Sequence, residues 1–335
     1  MDITVSVLDS SPRLEGETTE EALALTVKLA QKAEQLGFYR FWVAEHHGME
    51  HATGSSPEVL VSYLLAKTNR IRIGAGGVML QHYSPYKVAE NFNVLAALAS
   101  GRVDLGIGRA PGGLPHSTRA LQRGAAADPL AIEEKLSDLK HLVHDNLGGN
   151  HPLAGLKVIP SPTVVPDIYL LGASVGSAEL AAKLGLPYVF SYLINSNHEE
   201  VQKAIHVYRS SFQSEQDTKP EIIASLTVEI AETEEEAQSL TSEQKAFRVN
   251  LSSGKAATLL TRESAEEFGN QSGEDFTIVE RKFGIIQGTK ESVKEQLLSL
   301  QKEFSVNEFI ISSNATSSSK RLRWLELLSE ALSDN

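Results

Sequence analysis

A chain of 335 residues with 41% hydrophobic and 22% charged side chains has the make-up of a folded protein, long enough for a barrel with insertions. The net charge of -12, from 43 acidic and 31 basic residues with no long basic cluster, argues against nucleic acid or an anionic membrane as partner. There is no cysteine, hence no disulfide or cysteine metal site; no apolar run nears the ~18 residues of a membrane span, and the first residues lack the pattern of a signal peptide, so a soluble cytoplasmic protein is expected.

Residues 3–8 read as a strand, broken at Asp9, Ser10, Ser11 and Pro12. A helix over 19–37 follows, with Thr18 or Thr19 as cap, Glu20 and Glu21 at the positive end of its dipole and Gly37 as its stop. Residues 40–44 form the second strand, 57–67 a helix opened by Pro57, 71–75 the third strand, 85–98 a helix and 103–107 the fourth strand. Residues 110–127, with Pro111, Gly112, Gly113, Pro115 and Gly124, carry no clear period. A helix over 129–144 leads into a second irregular passage, 146–166. Strand five is 168–171, then a small-residue turn and a helix over 178–184. Strand six is 188–192, with a helix over 198–212, and strand seven is 222–231. An acidic helix starts at Glu234, and residues 251–283 fit no βα unit and read as an insertion. A helix over 291–304, strand eight over 308–312 and a helix over 320–332 close the chain, with a fraying tail.

Eight strands alternating with helices predict one (β/α)8 barrel over residues 1–335, with the insertion between strand seven and the final βα units. Such a barrel reacts at the C-terminal ends of its strands. After strand two come Glu45, His46 and His47; a rim histidine is a natural acid or base because its pKa lies near working pH. A zinc site through His47 and His51 lacks both the glutamate of the known pattern and a third ligand. After strand three, Gly76 and Gly77 permit either a plain turn or a flat ring against bare backbone. After strand four, Gly106 and Gly108 precede Arg109; Pro111 stands where a dinucleotide fingerprint needs a third glycine. Arg109 suits a phosphate or carboxylate, with a surface ion pair as the plain alternative. After strand five, Gly172, Ser174, Gly176 and Ser177 lead into a helix, which makes either an anion site or an ordinary serine cap. Neighbouring strands four and five would bring that anion close to Arg109.

Residues 36–47 (LGFYRFWVAEHH), 70–80 (RIRIGAGGVML) and 101–112 (GRVDLGIGRAPG) together resemble the bacterial luciferase-like flavin monooxygenases, closest to the short single-chain members; 171–174 and 181–187 match as well. The resemblance implies a usually dimeric (β/α)8 barrel. It would take reduced flavin mononucleotide (FMN) from a partner flavin reductase and react it with oxygen to oxidise a small organic substrate, aldehydes included. The isoalloxazine would lie over Gly76 and Gly77, where luciferases carry a non-prolyl cis peptide. The phosphate would take Arg109, Ser174, Gly176 and Ser177; His46 would do acid–base work beside Glu45. Gly108 replaces the luciferases' reactive cysteine and Ala173 an acidic residue, which speaks against light emission and a long-chain aldehyde. A deazaflavin-dependent oxidoreductase of the same superfamily and a non-enzymatic flavin-binding protein are the alternatives. A sugar-phosphate isomerase or aldolase would need a lysine or paired carboxylates at strand ends, and neither is evident.

Overall fold

The computed structural model describes residues 3–123, 130–214, 218–241, 244–282 and 284–333. The first half runs β1 (Thr4–Asp9), α1 (Thr19–Gln35), β2 (Arg40–Val43), α2 (Pro57–Lys67), β3 (Arg72–Met79), α3 (Pro85–Leu98), β4 (Val103–Gly108), α4 (Pro115–Leu121) and α5 (Ile132–Val143). It continues through β5 (Asp167–Gly172), α6 (Val175–Lys183), β6 (Tyr188–Ser191), α7 (His198–Ser211), β7 (Ile222–Ile230) and α8 (Glu234–Thr241). Then come β8 (Lys245–Leu251), β9 (Ala256–Leu259), α9 (Arg262–Ser272), β10 (Phe276–Lys282), β11 (Ile285–Gly288), α10 (Lys290–Phe304), β12 (Glu308–Ser312) and α11 (Ser318–Leu332).

The local chemistry explains the element ends. Thr18 and Glu21 form a reciprocal capping box on α1, and Gly37 ends it at a φ of +83° that side chains resist. Proline opens α2, α3 and α4, where its missing N–H costs nothing. Strands β1 to β7 pair in sequence, all parallel; β12 joins β7 to β1 and closes the cylinder. The eight expected strands are therefore the eight staves of a (β/α)8 barrel. A further strand, β11, pairs with the upper half of β7, Thr227 to Ile230, beyond the stretch that β6 occupies.

Two apolar layers hold the wall. Alternate strand residues pack outward under the helices; the others fill the interior as Trp42, Tyr169, Val189, Ile223 and Ile310, with Leu8 and Leu171 against them. Below this layer the barrel floor is ionic. Arg40, 2% exposed, meets both carboxylate oxygens of Glu308 at 2.7 and 2.9 Å and Asp104 at 3.0 Å. Trp42 Nε1 donates to Asp104 at 2.8 Å, and Arg72 also pairs with Asp104. Burial works against the Arg40 charge, yet Asp104 and Glu308 hold the guanidinium above its ordinary pKa.

The insertion departs from expectation. Residues 251–283, which by pattern fit no βα unit, carry regular elements: strands β8, β9 and β10 form an antiparallel sheet, starting at Lys245, with α9 packed on it. Its own core of Phe247, Val249, Leu251, Leu259 and Phe268 takes in Leu114 from the loop after β4 and Met49 from the loop after β2. Its strands alternate buried and exposed residues, which a single sequence shows only weakly. Within the 110–127 passage, α4 is an ordered helix; residues 124–127 lie outside the described residues, as do Phe283 and the last two of the tail. The 146–166 passage holds no regular helix or strand.

Candidate active site

Four rim segments converge at the C-terminal ends of β2 to β5. Glu45, just beyond β2, is 1% exposed, so its carboxylate needs donors. It has three. Met79 N donates to Oε2 at 2.9 Å, Tyr83 Oη donates to Oε1 at 2.7 Å, and His47 Nε2 lies 2.6 Å from the same Oε1. An ionised carboxylate only accepts, so in this contact the proton lies on His47 Nε2. Burial, then the Glu45 contact, drives the Tyr83 phenol well above its ordinary range, so it stays a donor.

His46, the histidine singled out from sequence, stands beside this group but outside its bonding. Its backbone N–H donates to Gly54 O at 2.9 Å, while its Nδ1 is buried without a hydrogen-bond partner. Burial and then His47 lower its pKa, against the pull of Glu45, so the ring is held neutral. The sequence reading therefore missed His47 as the partner of Glu45. The available signal was spacing: positions two apart on a chain leaving a strand face the same way.

The anion end lies on β4 and β5, which are neighbours. Arg109 follows β4, its Nη2 lies 3.5 Å from Ser174 Oγ, and its Nε is buried without a partner. Ser174 caps α6 from an extended backbone and leaves the N–H groups of Val175 and Gly176 at the helix start. The start of α6 differs from the expected one. The helix begins at Val175 rather than Ala178, so Ser177 falls in its first turn with its side chain folded back. That side chain is fully buried: its hydroxyl donates to Ser174 O at 2.7 Å and lies 2.8 Å from Tyr188 Oη. In this arrangement it closes the capping box of α6. Arg109, Ser174 and the first N–H groups of α6 fit a phosphate monoester: an unpartnered guanidinium nitrogen, a hydroxyl and a helix dipole share one spot.

Between these ends, inside β3, lie Gly76 and Gly77, whose peptide bond is cis and where the β3–β4 register shifts. The barrel itself demands both glycines. A Cβ at Gly76 would lie 2.8 Å from Trp42 Cε3, and one at Gly77 2.7 Å from Gly106 O. The Met79 side chain occupies the space a residue-108 side chain would need, its Cε 2.6 Å from the position of a Cβ there.

Hydrogen bonds stitch the loop after β4 to its neighbours: His47 N to Gly112 O at 2.8 Å and Gln81 Nε2 to Arg109 O at 3.2 Å. The insertion docks on the same loop, where Gln271 O accepts both Arg119 Nη atoms at 3.1 Å and Gln271 Oε1 accepts His116 N at 3.0 Å. Among the described residues no cluster could hold a metal ion, and no helix is long and apolar enough to cross a membrane.

Comparison with known proteins identifies the family and the fold. A family model for luciferase-like monooxygenases matches residues 3–306. The chain is 42% identical over 330 residues to the N-acetyl-S-alkylcysteine monooxygenase of Bacillus subtilis (strain 168), covering 98% of each chain. The crystal structure of apo-MsnO8 superposes with a TM-score of 0.79 at 32% identity, covering 98% of each chain. The oxygenating constituent of 3,6-diketocamphane monooxygenase of Pseudomonas putida, a type II Baeyer-Villiger monooxygenase solved with FMN, gives a TM-score of 0.71 over 98% and 97% of the chains. At 16% identity it speaks to the fold alone.

Proposed function

The chain belongs to the luciferase-like monooxygenases, flavin-dependent enzymes, and from that membership we propose that it is the oxygenating half of a two-component system working on reduced FMN. A separate flavin reductase would supply the reduced cofactor, and the chain would act as a homodimer. The observation that carries this reading is one rim that joins an anion cradle at Arg109, Ser174 and α6 to a carboxylate–imidazole pair at Glu45 and His47. The two ends suit a flavin with a phosphate tail. The bound reduced flavin would supply the oxygen-activating chemistry.

The chain's own residues do the rest. Arg109 and Ser174 hold the phosphate. Gly76, the partly open member of the glycine pair, offers backbone to a flat ring. The appended sheet, seated on the β2 and β4 loops, narrows access for water. For substrate we propose a small organic molecule, with a thioether of the N-acetyl-S-alkylcysteine kind ahead of an aldehyde, by analogy with the 42%-identical relative.

The test is anaerobic titration with reduced FMN, then air with an N-acetyl-S-alkylcysteine or an aldehyde, following flavin reoxidation and oxygenated product. Tight FMN binding with product from the thioether supports the reading. Failure to bind FMN, with tight binding of a deazaflavin, would replace it by a deazaflavin-dependent oxidoreductase. FMN binding with no oxygenation of any substrate would leave a flavin-binding protein.

A further inference from the structure

The segment that follows β3 reaches both ends of this rim. Its backbone makes a single 3-10 turn, Leu80–His82, with Met79 before it and Tyr83 after it. Met79 N and Tyr83 Oη both donate to Glu45, at 2.9 and 2.7 Å. Gln81 Nε2 donates to Arg109 O at 3.2 Å, and His82 Nε2 to Pro111 O at 2.8 Å. One short stretch therefore holds the Glu45 carboxylate on one side and the backbone of Arg109 on the other. A 3-10 turn has poor hydrogen-bond geometry of its own, so its position depends on an outside anchor. That anchor is Lys135 on α5. Its Nζ donates to Gln81 O at 2.9 Å, to Tyr83 O at 3.1 Å and to Leu80 O at 3.4 Å. An ammonium has three donors, and all three are spent on this one turn. The side chain is partly buried, and burial lowers its pKa, so the charge is held in place by backbone dipoles.

We infer that Lys135 is a positioning residue of this site: its ammonium pins the turn after β3, and through that turn it fixes the Glu45 carboxylate relative to the backbone at Arg109. Lys135 bonds to backbone alone, so the side chains of the turn carry its effect outward. Tyr83 carries it to Glu45, and Gln81 carries it to the phosphate end. Because the anchor grips carbonyls, it survives substitution of either side chain, and the two arms can be cut one at a time. Lys140, on the same helix, sends its Nζ to Leu184 O at the end of α6, 2.7 Å away, and so provides a comparison that bypasses the turn. The use of Lys135 in turnover rests on the proposed function; its grip on the turn does not.

The experiment compares Lys135→Met, which keeps an apolar stem and loses the ammonium, with Lys140→Met. Each loses bonds to backbone carbonyl groups, so both should melt earlier than wild type. Hydrogen-exchange mass spectrometry of the flavin-free chain should show faster exchange over residues 79–84 in Lys135→Met alone. Lys135→Met should also weaken FMN binding and slow turnover of an N-acetyl-S-alkylcysteine at saturating FMN, each by about 10-fold or more, since misplacing a group by ~1 Å can cost on the order of 100-fold. Lys140→Met should change neither. Gln81→Met should reproduce only the weaker FMN binding, and Tyr83→Phe only the slower turnover. Should Lys135→Met not fold, Lys135→Gln, whose donor falls short of the turn, is read in the same way. Wild-type exchange over 79–84 in the Lys135 variant, equal acceleration in Lys140→Met, or FMN affinity and turnover both unchanged overturns the inference. Failure of the wild type to bind FMN would refute the proposed function, and the exchange comparison would still decide whether Lys135 anchors the turn.

Discussion

Replacing Arg109 with alanine separates ligand binding from folding. In the folded chain the guanidinium makes one contact at the limit of hydrogen-bond range, 3.5 Å to Ser174 Oγ, and leaves Nε unpartnered. Its loss should therefore change stability by no more than about 0.5 kcal/mol, as for an ordinary surface substitution. A charge-assisted hydrogen bond to phosphate is worth about 1.5–3 kcal/mol, which converts to a roughly 10- to 150-fold weaker Kd. Calorimetry with FMN and with riboflavin, the same ring without the phosphate, isolates that contribution. Arg109→Ala should weaken FMN by that factor and leave riboflavin unchanged. Ser177→Ala is the control: it removes a buried hydroxyl and costs about 1–3 kcal/mol of stability with FMN affinity intact. Equal losses for FMN and riboflavin, or a larger FMN loss in Ser177→Ala than in Arg109→Ala, would refute the placement of the phosphate.

The floor of the barrel makes a separate prediction. Arg40→Met leaves buried Glu308 without its cationic partner, while Asp104 keeps Arg72 and Trp42, and should cost about 3–5 kcal/mol in urea denaturation, whereas a change under about 1 kcal/mol would show the ion cluster to be ornamental. Gly77→Ala drives a Cβ into strand backbone and should fail to give folded protein. Gly108→Ala meets only the flexible end of Met79, so it should melt close to wild type; equal behaviour of the two would contradict the packing. Burial lowers the His46 pKa, so the folded chain binds that proton less tightly than the unfolded one. The resulting stability is complete above the unfolded value of about 6.5 and is lost as pH falls below it. His46→Gln should flatten this acid slope in denaturant titrations; a slope matching wild type would assign it to other groups. Val59 and Tyr63 on α2 and Val94 and Leu98 on α3 are large apolar side chains exposed by 67%, 53%, 43% and 73%, and the two helices touch. If this stripe is the dimer face, Tyr63→Glu with Leu98→Glu should yield monomers in sedimentation, and an unchanged mass would place the interface elsewhere.

The barrel was legible because its signals are local. Strand runs such as 103–107 and 222–231 are short, apolar and bounded by turn residues, and the helix starts carry caps that depend on neighbours three positions away. What escaped depends on partners far along the chain. Arg40 at the start of a strand reads as a surface residue until Glu308, 268 positions later, is seen beside it. The pairing of His47 with Glu45 competed with the pull of His46, which matches a familiar motif position, and Tyr83 lies too far along the chain to be linked to either. The orientation of Ser177 was hidden for a subtler reason. A hydroxyl three residues after a capping serine can bind outward or fold back, and only where α6 starts decides which. The antiparallel sheet escaped because its strands bury one face against a small separate core.

Strand β7 leaves this architecture unusually free to change. Its lower half shuts the cylinder against β6, and its upper half receives β11. The excursion through α8, the three-stranded sheet and α9 thus departs from and returns to a single stave. Chain of any length can be spliced between those two anchorage points without displacing a barrel strand, since lengthening a detour whose ends already meet costs little entropy. Variation in what the protein accepts can accumulate in that detour while the phosphate seat and the imidazole pair stay where the cylinder holds them.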